Sequence, residues 1–229
     1  MDSPNGAGIV TVQQITMGLF TGTLDFSANN NNVTLSVAFD GSGNGTRTLN
    51  MGNGTWIIQG FNNNTWNYTT ITGLTHNPNI STLSFIPSSA TPTGAITFQG
   101  NGRSFNVVTH SGVTSAAVFQ ISGGPTIATL QFTTPANVQF ANSATVTISN
   151  AFTWTGTSSN QLLVQSDSPN TSATVAAPAN SSIAWAALKR MTFTGNTVVA
   201  TNSFDLRSNS GVTITAPSVG SIGGRIISG

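Results

Sequence analysis

Five aspartates, six lysines and arginines and two histidines carry nearly all the ionisable chemistry in this chain of 229 residues, which has no cysteine. Glycoside hydrolysis needs two carboxyl groups about 5–9 Å apart, one kept protonated by its surroundings. Asp25 and Asp40 are the only carboxylates close in sequence, and the chain would have to coil back on itself to bring them together. Asp2, Asp167 and Asp205 are isolated, and all five fit turns and strand ends better than an acid–base pair. Asp40, Ser42, Asn44 and Gly45 match the first half of a calcium-binding loop, but the twelfth position is Met51, where a bidentate glutamate is required. That stretch therefore reads as an inter-strand turn. His76 precedes Asn77-Pro78 and His110 precedes Ser111-Gly112, so both are expected in polar turns, with no second ligand at metal-binding spacing.

No G-x-S-x-G elbow supports a nucleophilic serine. Gly41, Gly43 and Gly45 lack the strand–turn–helix setting of a nucleotide-binding loop and are expected to form a flexible turn. Trp56, Trp66, Trp154 and Trp185, with Tyr68, have the types that stack on sugar rings. In a chain with so few large side chains, burial accounts for them better. Arg47, Arg103, Arg207 and Arg225 are scattered, each a candidate anchor for a partner contact. The residues thus predict no catalytic centre, no cofactor and no metal, and a protein that is not an enzyme.

The elements that would position these residues are read from a period of two. Ile96 and Phe98, Phe105 and Val107, Ala117, Phe119 and Ile121, Leu130 and Phe132, Val138 and Phe140, Val146 and Ile148, and Phe152 and Trp154 each stand two apart. That spacing gives one buried face and one wet face per segment. Recurrence at roughly 8–12 residues, with Gly, Asn, Ser, Thr and Pro between, predicts an all-β array. Upstream, Val33, Leu35, Val37 and Phe39 alternate in the same way, and downstream so do Leu162 and Val164, and Ala173 and Val175. Between Ser181 and Phe193 a helix is arguable from the alanines, but Ile183, Trp185, Ala187, Met191 and Phe193 also alternate, and strand is preferred.

Only 5% of residues are charged, against about a quarter in an ordinary soluble domain, there is no glutamate, and Lys189 is the sole lysine. Phosphate recognition needs clustered cations, and Lys189 with Arg190 is the one adjacent pair, so nucleic acid is excluded as a partner. No run reaches the length of a membrane span, and no secretory signal is visible at the amino terminus. A surface this neutral offers little resistance to self-association, which favours permanent contact with other copies or with a larger assembly.

Several phrases carry a resemblance: Gly52-Asn53-Gly54-Thr55-Trp56, Thr65-Trp66-Asn67, Thr72-Gly73-Leu74-Thr75, Phe98-Gln99-Gly100-Asn101-Gly102, Phe152-Thr153-Trp154-Thr155-Gly156-Thr157, and Asn202 to Leu206 followed by Asn209-Ser210-Gly211. The chain resembles the phage and bacterial surface proteins of β-solenoid, or β-helix, character. The resemblance implies an elongated stack of short strands of the kind found in virion decoration or cement proteins, fibres and tailspikes, many of them trimers. The expected organisation is an N-terminal arm over 1–8, a solenoid over 9–217 with any sub-boundary near 87–93, and a C-terminal docking tail over 218–229. Val219, Ile222, Arg225, Ile226 and Ile227 are the expected docking residues, since that tail is too apolar for a free end. The function implied is a phage structural protein on the virion exterior, homotrimeric and bound to the major capsid protein or another virion protein. The alternative is a tailspike or receptor-binding domain that recognises or cleaves host surface polysaccharide.

Overall fold

A computed structural model describes residues 8–60, 65–88, 94–111, 118–133 and 136–218. These residues form 22 strands, from Ile9–Thr16 to Val212–Ile214, and no helix. Every ladder is parallel, and each strand pairs with one a full circuit later in the chain instead of with its immediate successor. Parallel pairing without helices has one simple solution: the chain winds round and returns above its own earlier course. The protein is an all-β, parallel β-solenoid.

Alternation becomes a core because the inward residue of one strand stands over the inward residue of the next. Val12, Leu35, Ile58, Phe85, His110, Phe132, Trp154, Ile183, Ala200 and Ile214 form one such column. A second runs through Val33, Trp56, Leu83, Val108, Leu130 and Phe152. A third joins Phe39, Trp66, Phe98, Ile121 and Phe140. Neighbours in a column are about 4.8 Å apart, which is van der Waals contact for side chains sharing an orientation. Aromatic pairs result, such as Phe39 on Trp66 at 4.3 Å and Phe152 beside Trp154 at 4.5 Å. The steps shorten toward the carboxyl end: from Ile183 to Ala200 is 17 residues and from Ala200 to Ile214 is 14.

Corners explain where the alternation misleads. Asn30, Asn79, Asn101 and Asn202 have φ of 49°, 50°, 43° and 50°, the left-handed region that asparagine enters at low cost. One such residue turns the chain and changes which positions face inward. Between Ser181 and Phe193 the chain forms the strands Asn180–Ala184, Ala186–Lys189 and Met191–Gly195, separated by single residues in this conformation, Trp185 (φ 52°) and Arg190 (φ 55°). Strand is therefore right there, but Ala186 and Leu188 point inward and Ala187 does not. In Ser104–Ser111 a bend after Phe105 likewise turns Val107 outward and brings Val108 and His110 in. Leu19 and Phe20 sit at a turn, with Leu19 wholly exposed.

At the expected sub-boundary, 89–93 lies outside the described residues, but Thr82–Phe85 pairs directly with Ser104–Ser111 across it. The N-terminal arm through residue 7, Ala117, and the docking residues Val219, Ile222, Arg225, Ile226 and Ile227 also lie outside the described residues.

Candidate functional site

Most residues chosen for their chemistry converge on one region of the amino-terminal half, inside the wall. Arg47 begins the strand Arg47–Asn50, and the alternation Arg47, Leu49, Met51 points all three inward. Its side chain is 1% exposed. Nη1 donates to the carbonyls of Gly45 and Thr72 at 2.8 and 2.9 Å, and Nη2 to those of Gly41 and Thr70 at 2.6 and 3.2 Å. A buried cation with no carboxylate in its shell is costly, and burial pulls the Arg47 pKa below its ordinary value. The four carbonyls offset that cost and fasten two successive loops, 41–45 and 70–72, to one side chain. Arg47 is thus a structural tie and not the surface anchor expected.

Those glycines are tightly packed instead of flexible. A Cβ on Gly41 would lie 2.2 Å from the Tyr68 ring, and one on Gly43 2.5 Å from the Gly18 carbonyl oxygen. Asp40 accepts the Ser42 N–H at 3.0 Å and the Asn67 amide at 3.2 Å, closing a small turn of its own. That half-match to a calcium loop is spent on internal bonds.

Both histidines differ from expectation: each is on a strand and faces inward. His76 belongs to Leu74–Asn77, and its Nδ1 and the Tyr68 hydroxyl share a hydrogen bond of 2.8 Å while its ring packs 4.8 Å from Phe105. His110 belongs to Ser104–Ser111, with Phe85 and Phe132 as its neighbours in the column, and its ring stacks on Phe119 at 4.4 Å. Nδ1 of His110 donates to the Phe85 carbonyl at 3.1 Å, and Nε2 is buried with no partner. Desolvation lowers both histidine pKa values to about 4, opposed in part by the main chain of Ser104 for His76 and of Phe85 for His110. Burial likewise pushes the Tyr68 phenol well above its usual value. At neutral pH His76, His110 and Tyr68 are therefore all uncharged.

Asp25 and Asp40 are not brought together. Asp25 ends the strand Gly22–Asp25 of a separate three-stranded sheet, where Asn77 donates to Asn50 at 2.7 Å and Asn50 to Asp25 at 3.1 Å. Bonds from the Ser27 hydroxyl and N–H, then Asn50, hold the Asp25 carboxyl below its ordinary pKa, the wrong direction for a proton donor. Trp56, Trp66, Trp154 and Tyr68 are fully buried and Trp185 is half-buried at a corner, so these side chains form no platform facing solvent. Among the described residues no three histidine or aspartate side chains gather as a metal site would require.

Two surface features went unread in the sequence, because both arise from stacking. One is the pair of rod ends. Val10, Val12, Ile15 and Leu24 at one end and Val212 and Ile214 at the other pack on the core yet remain only partly buried. The terminal strands Ile9–Thr16 and Val212–Ile214 carry ladders on one side only among the described residues. The other is a lateral cavity of about 160 Å³ beside Lys189 and Arg190. Comparison with known family models, with curated proteins and with solved structures found no match.

Proposed function

We infer that the chain is a non-catalytic structural protein of a phage particle, a capsid decoration or cement protein or a short fibre, carried on the virion exterior. It acts by adhesion, as a homotrimer bound to the major capsid protein or another virion protein. The observation that supports this reading best is that, among the described residues, the first and last strands each carry a ladder on one side only. Each also presents half-buried aliphatic side chains, which together suit strand addition by a partner. Completing the burial of each such side chain is worth on the order of 1 kcal/mol, and ladder bonds add to it. Flanks with few charges suit side-by-side association of copies. The resemblance of its recurring phrases to those of virion solenoids supports the same class.

The test is to add purified full-length protein, and a variant lacking 218–229, to particles that lack it, and to count bound copies by electron microscopy. The full chain is expected to decorate the particles and the truncated chain to lose attachment while keeping its β circular-dichroism signal. Full occupancy by the truncated chain would remove the tail from the mechanism. Failure of the full chain to bind any particle surface would remove the reading itself.

A further inference from the structure

The lateral cavity beside Lys189 and Arg190 holds three of the molecule's few charges, in an arrangement that the core does not need. Lys189 stands over Gln165 and Gln165 over Gln139, so the strand ladder stacks two amides and an amine on one outward column. Arg190 follows at a left-handed corner, and Asp167 and Ser166, which follow Gln165 on the neighbouring rung, complete the wall with it. The wall is held from within: the Ser166 hydroxyl donates to the Thr171 carbonyl at 2.7 Å and accepts the Ser168 N–H at 3.1 Å. Asp167 is fixed as well, since its Oδ1 accepts the Asn142 N–H at 2.9 Å.

The cations lack comparable partners. Neither the Lys189 amine nor the Arg190 guanidinium forms a hydrogen bond or ion pair with any described side chain, and Arg190 Nε is buried without a partner. Asp167 shares the cavity with them and pairs with neither. In a chain with so few charges, two unpaired cations at one small concave site are what an anionic ligand would use. The remaining groups narrow its chemistry. Two cations against one carboxylate suit a monoanion and disfavour a polyanion such as a phosphate chain. Gln139, Gln165 and the free Asp167 oxygen are donors and acceptors for hydroxyl groups. A volume of about 160 Å³ admits one ring, well below the space a drug-sized ligand fills.

We propose that this cavity binds a single acidic sugar residue of the uronate class, its carboxylate between Lys189 and Arg190 and its ring hydroxyls on Gln139, Gln165 and Asp167. The site is independent of how the rod is attached, and would give it a lateral contact with an acidic polysaccharide.

The test is titration of the full chain with methyl glucuronide, methyl glucoside and acetate, followed by calorimetry and ligand-observed NMR. Methyl glucuronide is expected to bind with a Kd on the order of 1 mM, and the neutral glycoside and acetate about tenfold more weakly or worse. Lys189→Gln and Arg190→Asn are each expected to weaken glucuronide about tenfold. Asparagine is chosen at 190 because it accepts the left-handed corner, and an unchanged melting temperature verifies the fold. Equal binding of glucoside would show that the cations play no part, and equal binding of acetate that the hydroxyl groups play none. Either result overturns the proposal, as does unaltered glucuronide binding in both variants or no saturable binding at all.

Discussion

Protonation of His110 should be one of the two most damaging events that mild acid inflicts on this fold. The imidazole lies in the interior column between Phe85 and Phe132, 1% exposed, with Nδ1–H bonded to a carbonyl and Nε2 facing apolar neighbours. Its folded pKa of about 4 lies below the ordinary value of 6.5, so the unfolded chain takes up the proton first. Stability is therefore fully present above pH 6.5 and is lost as pH falls from 6.5 toward 4. At pH 4.5 that difference costs about 2.5 kcal/mol. His76 shifts in the same direction and loses stability over the same range, so the wild-type chain should lose about 5 kcal/mol between pH 7.5 and pH 4.5. His110→Phe continues the aromatic column above and below it and removes the buried unpaired nitrogen, at the loss of one hydrogen bond worth about 1 kcal/mol. It should unfold within about 1 kcal/mol of wild type at pH 7.5 and be more stable by about 2.5 kcal/mol in relative terms at pH 4.5. Urea unfolding followed by circular dichroism at both pH values measures this. If His110→Phe loses as much stability on acidification as the wild type does, the imidazole is not held neutral by burial and the reasoning fails.

Arg47→Met leaves the carbonyls of Gly41, Gly45, Thr70 and Thr72 without their donor and should cost about 3–5 kcal/mol, read as a fall in urea midpoint. Gly41→Ala drives a methyl group into the Tyr68 ring and should cost about 1–3 kcal/mol in the same assay. Trp154→Ala should cost about 3–5 kcal/mol, whereas Trp185→Asn should be close to neutral or stabilising, because asparagine relieves a left-handed corner. Comparable losses at the two tryptophans would contradict the corner assignment.

The fold was legible because period-two alternation survives wherever the chain runs straight: Val33 and Leu35, Phe119 and Ile121, and Leu162 and Val164 all point inward as their spacing predicts. It failed at the corners, since one left-handed residue or one bend switches the inward parity without any change in composition. Trp185 and Val107 are the cases in point. The chemistry was misplaced for a different reason. Residue type alone puts His76 and His110 in turns and makes Arg47 a candidate surface anchor. Their parity says otherwise: Arg47 is in step with Leu49, His76 with Leu74, and His110 with Val108. Giving parity precedence over polarity would have found all three. Nothing in the sequence could have shown the cavity at Lys189, because Gln139, Gln165 and Asp167 meet only through the ladder.

A solenoid of this kind stores its stability between rungs, so each interior residue has two axial neighbours and each terminal residue has one. That asymmetry decides where a partner gains most. In mid-rod, Phe132 and Trp154 are already fully buried, and a partner laid along the flank meets only the outward side chains. At the ends the same contact completes the burial of Val12 or Ile214 and supplies a ladder to a strand that, among the described residues, is paired on one side only. The narrowing of the coil, from a 29-residue step between Trp154 and Ile183 to 14 residues between Ala200 and Ile214, also leaves the carboxyl end with a smaller cross-section. Among the described residues that last strand has a ladder on one side only. It is therefore the first to fray in isolation and the one whose protection from hydrogen exchange should rise most when a partner is bound. An exchange experiment on the particle-bound and free protein, in which Val212–Ile214 gains no more protection than Val164 or Leu188, would show that attachment does not use the ends of the rod.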